Sequence, residues 1–316
     1  MMKMSFSGTV KEELAEIIPS AEHCRRAELA AILGAAGEAG FGPGGRIMLM
    51  ITSENRILVK KAALLIAKTT GYIPEVSVTA GKERKGRTYL LAVTDGTAAA
   101  RLLKDTGFLT AKGVFRDFSV PPKEQVVRKN CCRKAYLRGM LLAAGSVSDP
   151  ARSYHLEFIS RGEETAAEIQ HILTGFGIPS KTSVRKQTDI VYIKESEGIA
   201  DTLSLVGAHK GRLAMEDVRI MRGISANVNR KVNFETANLN KTVSASLSQI
   251  EGIERIRDTI GLSSLPLPLR EMAEVRLENP ELPLKELGEL LFPPVGKSGV
   301  NHRLRKLKQI ADSLQV

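Results

Sequence analysis

Tryptophan is missing from this chain of 316 residues, aromatic residues make up 4%, and cysteine occurs 3 times. So few rings count against a stacking platform for unpaired bases, where successive aromatic side chains take successive bases. Cys24, Cys131 and Cys132 are odd in number and form no C-x-x-C pair, which argues against a disulfide framework or a zinc site. They read as reduced thiols of the packing type. His23, His155, His171, His209 and His302 show no metal-ligand spacing, and all but His302 read as packing or surface residues, so neither metal nor cofactor is expected. There is no G-x-S-x-G nucleophile motif. Gly296-Lys-Ser298 ends like a phosphate-binding loop, but the first glycine that such a loop requires would fall on Leu291, and the preceding segment has a helical pattern. Long apolar runs are absent too. Residues 62–67 and 89–93 fall far short of the roughly 20 needed to cross a bilayer. The first 20 residues interleave Lys3, Lys11, Glu12, Glu13 and Glu16 with short apolar pairs, unlike a secretory signal. A cytoplasmic chain with no membrane contact is expected.

What is present is average for a globular protein, with 43% hydrophobic and 26% charged residues, and the length predicts about two domains. Lys and Arg number 46 against 35 Asp and Glu, a net charge of +11 that favours a polyanionic partner without identifying one.

One unit occurs twice. Leu29-Ala-Ala-Ile-Leu-Gly-Ala-Ala-Gly37 and Leu137-Arg-Gly-Met-Leu-Leu-Ala-Ala-Gly145 are apolar, rich in small residues and close alike. Each comes after a basic lead that holds a cysteine, Cys24-Arg-Arg-Ala27 and Cys132-Arg-Lys-Ala135. Strand-like segments at 47–53 and 155–160 come next, then helical patterns at 56–70 and 164–176, each closed by a glycine and an Ile-Pro pair. Further strand pairs (76–79 with 88–94, and 182–185 with 189–194) and helices (97–106 and 198–206) complete two matching halves. Small residues at Ala30, Ala31, Gly34 and Ala35 on one helix, and at Gly139, Ala143 and Ala144 on the other, predict that the two helix backbones meet closely.

The character changes after about Val218. The Asn-rich stretch 227–233 predicts a linker over 223–235 that separates a first domain, 1–222 (repeats about 20–110 and 128–210), from a helical domain, 236–316. In the latter, Leu239, Val243, Leu247, Ile250, Ile253 or Ile256, and Ile260 form an apolar stripe ending at Gly261. Shorter helices come after it at 269–277, 284–291 and 299–314. The last two read as a helix-turn-helix over about 283–314 in which Ser298 caps the second helix. Val300, Leu304, Leu307 and Ala311 share one face of that helix. Lys297, Ser298, Asn301, His302, Arg303, Arg305, Lys306 and Lys308 are then left to meet double-stranded DNA, Asn and Arg reaching base edges and Lys and Arg the phosphates.

The duplicated helix motif and the αββαββα order resemble the LAGLIDADG homing endonuclease fold, which implies an α+β, pseudo-two-fold first domain. In active members of that fold the acidic residue just before the motif's final glycine binds the divalent metal that activates water. Here those positions are Ala36 and Ala144, and the motif's other acidic letter falls on Gly34 and Leu142. A methyl group offers no oxygen to a hard cation. Glu38 lies two positions beyond Ala36, but its counterpart is Ser146. The expectation is a non-catalytic chain. A metal-dependent endonuclease using Glu38 is the alternative from the enzyme class, and a third reading makes the duplicated domain a protein-interaction or ligand-sensing module. Taken with the helix-turn-helix, the strings Asn229-Arg-Lys-Val-Asn-Phe-Glu-Thr-Ala-Asn238 and Lys297-Ser-Gly-Val-Asn-His-Arg-Leu-Arg-Lys306 closely resemble the WhiA family across nearly the whole chain. That resemblance implies a bacterial, nucleoid-associated transcription regulator tied to sporulation-type development, cell division and chromosome segregation. The chain is expected to be monomeric, and a second transcription regulator stays open as a partner.

Overall fold

The computed structural model describes residues 5–42, 45–80, 87–186 and 188–314. The chain divides into two compact units, Met1–Met221 and Arg222–Val316. The first unit opens with α1 (Phe6–Glu16) and continues through α2 (Glu22–Ala36), β1 (Gly37–Phe41), β2 (Ile47–Ser53), α3 (Arg56–Thr70), β3 (Glu75–Ala80), β4 (Arg87–Val93) and α4 (Gly96–Asp105). A short α5 (Glu124–Val127) leads into the second half. That half comprises α6 (Asn130–Ala144), β5 (Gly145–Val147), β6 (Leu156–Ser160), α7 (Glu163–Gly175), β7 (Lys181–Arg185), β8 (Thr188–Ile193) and α8 (Ser196–Val206).

Each half builds one four-stranded antiparallel sheet, in the order β1-β2-β4-β3 and β5-β6-β8-β7. Burial alternates along β2 and β6. Buried Leu49 and Ile51 lie opposite buried Val93 and Leu91, and Leu156 and Phe158 opposite Ile193 and Val191. These cross-strand pairs cover one face of each sheet with helices. Two cores result, one per half, and the central helices α2 and α6 lend side chains to both.

Local signals start and stop the helices. Ser5, Asn55 and Asp95 accept backbone N–H bonds at the starts of α1, α3 and α4, and Gly71 and Gly207 leave α3 and α8 in the left-handed conformation. The next helix, α9 (His209–Thr259), takes its cap from far away in the sequence: the Glu13 carboxylate accepts from the backbone N–H groups of Lys210 and Gly211 at 2.8 and 3.0 Å.

Two expectations fail along α9. Residues 223–235 form no linker, because the helix runs straight through them. Asparagine costs a helix only about 0.7 kcal/mol relative to alanine, and neither glycine nor proline occurs between Gly223 and Gly252 to stop propagation. Nor is the apolar stripe a buried seam. Leu239, Val243, Leu247 and Ile260 are exposed, Ile250 is half-buried, and only Ile253 and Ile256 enter a core. Gly261 does end the helix, at positive φ.

The second unit adds α10 (Leu267–Glu278), α11 (Leu284–Glu289) and α12 (Lys297–Ser313) to the C-terminal part of α9. Its core joins Ile253 and Ile256 to Leu265, Met272, Ala273, Leu287, Leu291 and the inner face of α12.

Candidate nucleic-acid interface and the paired-helix seam

The predicted seam between α2 and α6 exists, on fewer residues than expected. Ala31 packs into the core of the second half, and Ala35 lies against that core; Ala143 leans on the core of the first half. A Cβ at Gly139 would stand 2.6 Å from the Glu28 carbonyl oxygen and 2.8 Å from Ala31 Cβ, so glycine is what lets the backbones meet there. The seam is therefore Ala31 and Ala35 against Gly139 and Ala143, a symmetric set. Ala30 lies instead in the core of its own half, and a Cβ at Gly34 would meet the Phe118 oxygen and Phe108 at ordinary contact distances of 3.7 and 3.8 Å. Ala144 and Ala36 are half-buried at the C-terminal ends of the pair, next to Gly145 and Gly37. The resemblance to the nuclease fold implies metal-binding carboxylates at these two positions, and both carry methyl groups. Glu38 is exposed on β1, while Ser146 donates to Glu157 at 3.0 Å.

Sequence reasoning missed a buried charge cluster in the middle of this seam. Glu28 is fully buried, with Lys61 Nζ at 2.5 Å and the Arg138 guanidinium donating two hydrogen bonds at 2.9 and 3.1 Å. Lys61 also donates to the carbonyls of Leu14 and Ile17, both at 2.6 Å, which adds a donor at the C-terminal end of α1. Arg138 further donates to the Val206 carbonyl at the end of α8. Burial pushes the Lys61 ammonium below its ordinary pKa, against the upward pull of Glu28. One carboxylate thus joins both halves and two further helices. Glu28 and Arg138 sit on helices that the sequence reading paired, but nothing in their spacing marks them as partners.

A second missed grouping lies at the N-terminal ends of the same helices. His23, Cys24, Cys131 and Cys132 place one side-chain nitrogen and three sulfurs within 4.8 Å of one another. Cys24 and Cys132 are buried as expected, whereas Cys131 is exposed. A search for ligands spaced along one segment passes over such a cluster, because its members come from opposite copies of the repeat.

In the second unit the turn before α12 is tightly built. The Val295 N–H donates to the Gly288 carbonyl at 2.9 Å, and a Cβ on Gly288 would run into the Val295 carbonyl oxygen. Buried Arg276 of α10 donates to Gln249 of α9 at 3.0 Å and to the Leu282 carbonyl at 2.7 Å, while Ser246 donates to the Pro280 carbonyl at 2.6 Å. The helix-turn-helix is thereby fixed to the C-terminal part of α9.

Helix α12 starts at Lys297 with extended Gly296 as its cap, so Ser298 lies inside the first turn and is not the N-cap. Pro293 and Pro294 keep the preceding chain out of the helix, and Gly296 makes the final bend where a serine was expected to. Val300, Leu304, Leu307 and Ala311 are buried, as their register predicted. Lys297, Ser298, His302, Arg305, Lys306 and Lys308 are exposed; Asn301 and Arg303 are half-buried. The Arg303 guanidinium donates to the Pro268 carbonyl at 3.3 Å, which commits it in part to the fold. A cavity of about 300 Å³ has exposed Lys241, Lys285 and Lys297 on its lining together with buried Arg276, and the three lysines extend the cationic surface from α12 toward α9.

Comparison with known proteins agrees with this arrangement along the chain. Residues 22–109 match the family model described as the WhiA N-terminal LAGLIDADG-like domain, 133–225 the WhiA LAGLIDADG-like domain, and 228–311 the WhiA C-terminal HTH domain. A protein of Thermoanaerobacter pseudethanolicus, named probable cell division protein WhiA, is 42% identical over 313 residues, covering 99% of this chain and 98% of that one. A protein of the same name from Desulforamulus reducens is 41% identical over 313 residues, covering 99% and 97%. The crystal structure of full-length DUF199/WhiA from Thermatoga maritima superposes with a TM-score of 0.59 at 25% identity, covering 98% of each chain. With its duplicated domain, its helix-turn-helix and this full-length identity, the chain belongs to the WhiA family.

Proposed function

We propose that this protein is a non-catalytic, DNA-binding regulator of cell division that reads duplex DNA through α12. The observation behind this reading is the division of α12 into two faces. Its apolar face is locked into a core and its turn is closed by Gly288, while Lys297, Arg305, Lys306 and Lys308 project outward with Ser298 and His302. A rigid helix that presents fixed cations meets the geometric need of groove binding, in which phosphates position the protein and a few side chains read bases. Lys297 and the first-turn N–H groups suit a phosphate, Asn301 and Arg305 suit base edges, and Lys306 and Lys308 suit the flanking backbone. Arg303 contributes from the flank while holding α12 to the start of α10.

Control of transcription is the activity this implies, with sporulation-type development and chromosome segregation as processes it would serve and the nucleoid as its location. The test is a titration of the full chain against duplex DNA across salt. Lys306→Ala and Lys308→Ala each reduce the slope of log affinity on log salt by about one, and Arg305→Ala lowers affinity for a specific site by ~1 to 3 kcal/mol. Unchanged binding in all three variants removes α12 from the interface.

The paired sheets favour a second role for the first unit. Every residue of β7, Lys181 and Arg185 included, is exposed. This edge supplies either a basic saddle for DNA or a surface for another protein. A salt slope lowered by Lys181→Ala with Arg185→Ala supports the saddle, and an unaltered slope supports the protein surface.

A further inference from the structure

The duplication that brings α2 and α6 together also brings together the ends from which they start. His23 and Cys131 stand 108 residues apart, as do Cys24 and Cys132, and this is the spacing of the repeat itself. The pseudo-two-fold therefore delivers two adjacent side chains from each copy to one point. His23 Nδ1 lies 3.2 Å from Cys132 Sγ, 3.3 Å from Cys24 Sγ and 4.0 Å from Cys131 Sγ. All 3 cysteines of the chain are in this cluster.

The distances have a chemical meaning. A tetrahedral zinc ion with sulfur at ~2.3 Å and nitrogen at ~2.0 to 2.1 Å sets its ligands roughly 3.5 Å (N to S) and 3.8 Å (S to S) apart. The observed N to S distances straddle that value, and all four ligand atoms lie within 4.8 Å of one another, so a four-ligand shell closes when the side chains shift by up to about half an ångström each. The surroundings suit such an ion. Cys24 and Cys132 are buried among Ala27, Ala135, Ala21 and Val126, which keeps bulk water from two of the sulfurs. Three thiolates around a divalent ion leave one net negative charge. The positive N-terminal ends of α2 and α6 face that charge, and Arg25, Arg26, Arg133 and Lys134 come directly after the cysteines in sequence.

We propose that His23, Cys24, Cys131 and Cys132 form a Cys3His zinc site that bolts the N-terminal ends of the two central helices together. Soft thiolates with one imidazole select zinc over the hard cations that the nuclease fold uses, and four protein ligands leave no open position for chemistry. The ion is structural, and its binding energy adds to the stability of the duplicated domain. It lies at the opposite end of α2 and α6 from Ala36 and Ala144.

Zinc content of the full chain, purified and dialysed with a thiol reductant against metal-free buffer, provides the first test. The expected result is about one zinc per chain, falling below about a tenth in the Cys24→Ser/Cys132→Ser double variant. If that variant does not fold, the wild type decides alone: stripped of metal and titrated with Co²⁺, it gives thiolate-to-cobalt charge transfer and tetrahedral d–d bands that saturate near one equivalent and vanish on adding Zn²⁺. Absence of both bound zinc and the tetrahedral cobalt spectrum overturns the proposal. So does mass spectrometry that finds two of these cysteines joined as a disulfide in the chain purified without reductant.

Discussion

Gly34 and Gly139 are the single glycines of the two central helices, yet the structure predicts opposite outcomes for the same substitution. A helical glycine replaced by alanine gains roughly 0.8 to 1 kcal/mol of intrinsic helix stability, because the unfolded chain loses freedom. At Gly34 nothing opposes that gain, since the new methyl meets the Phe118 oxygen at 3.7 Å and Phe108 Cζ at 3.8 Å. At Gly139 the methyl would stand 2.6 Å from the backbone oxygen of Glu28, a fixed atom that a rotamer change cannot move aside. Overpacking of this kind costs about 1 to 3 kcal/mol, and contact with backbone belongs at the upper end. The net for Gly139→Ala is a loss of roughly 1 to 2 kcal/mol, and for Gly34→Ala a gain of somewhat under 1 kcal/mol. For a unit of this size each kcal/mol moves the midpoint by about 2 to 4 °C. Calorimetry of the full chain should show the duplicated unit melting about 2 to 8 °C lower with Gly139→Ala and up to about 4 °C higher with Gly34→Ala. A Gly139→Ala protein as stable as wild type refutes the close approach of the two backbones at that point.

The charge cluster under the seam gives the next test. Glu28→Gln leaves Lys61 and Arg138 facing each other in the interior and is expected to cost about 3 to 5 kcal/mol by denaturant titration, whereas Lys61→Met keeps the Glu28–Arg138 pair and costs less. The reverse ranking contradicts Glu28 as the shared partner. Gly288→Ala drives a methyl into the Val295 carbonyl and should abolish DNA binding together with the cooperative melting of the second unit, leaving the first intact. Ser298→Ala should leave stability within about 0.5 kcal/mol of wild type, because Gly296 is the cap; a loss near 1 kcal/mol, the usual effect of removing a capping side chain, would show the serine capping after all.

Patterns repeated over many residues were legible in the sequence. The buried stripe of α12 arises from four apolar positions in helical register, and the two sheets arise from strand-like segments that recur in the same order in each half. The failures involve competitions that local composition does not decide. The asparagines of 227–233 suggested a linker, but each is only mildly unfavourable in a helix, and with no glycine or proline among them the helix propagates. The stripe from Leu239 to Leu247 has the period of a packed helix, yet a period says only which side chains share a face and not that a partner covers them. Ser298 looked like a cap because serine is a common one, while the backbone turns two residues earlier at Gly296.

The polar groups of the seam were hidden for a different reason. Ligand spacing rules and ion-pair rules assume neighbours within one segment, three or four residues apart on a helix or two to four in a metal-binding loop. A duplicated fold breaks that assumption, because its two-fold axis makes neighbours of residues one repeat length apart. The small residues announced this axis: once Ala31 is set beside Gly139 and Ala35 beside Ala143, the same shift of 108 sets His23 beside Cys131 and Cys24 beside Cys132. Glu28 and Arg138 lie 110 apart, two residues off that spacing, and the buried salt bridge at 2.9 Å is what an asymmetric departure within an otherwise symmetric contact looks like. Ligand searches in duplicated chains therefore gain from folding the sequence on its repeat before counting spacings. Applied here, that step turns three scattered cysteines and one histidine into a single four-membered shell.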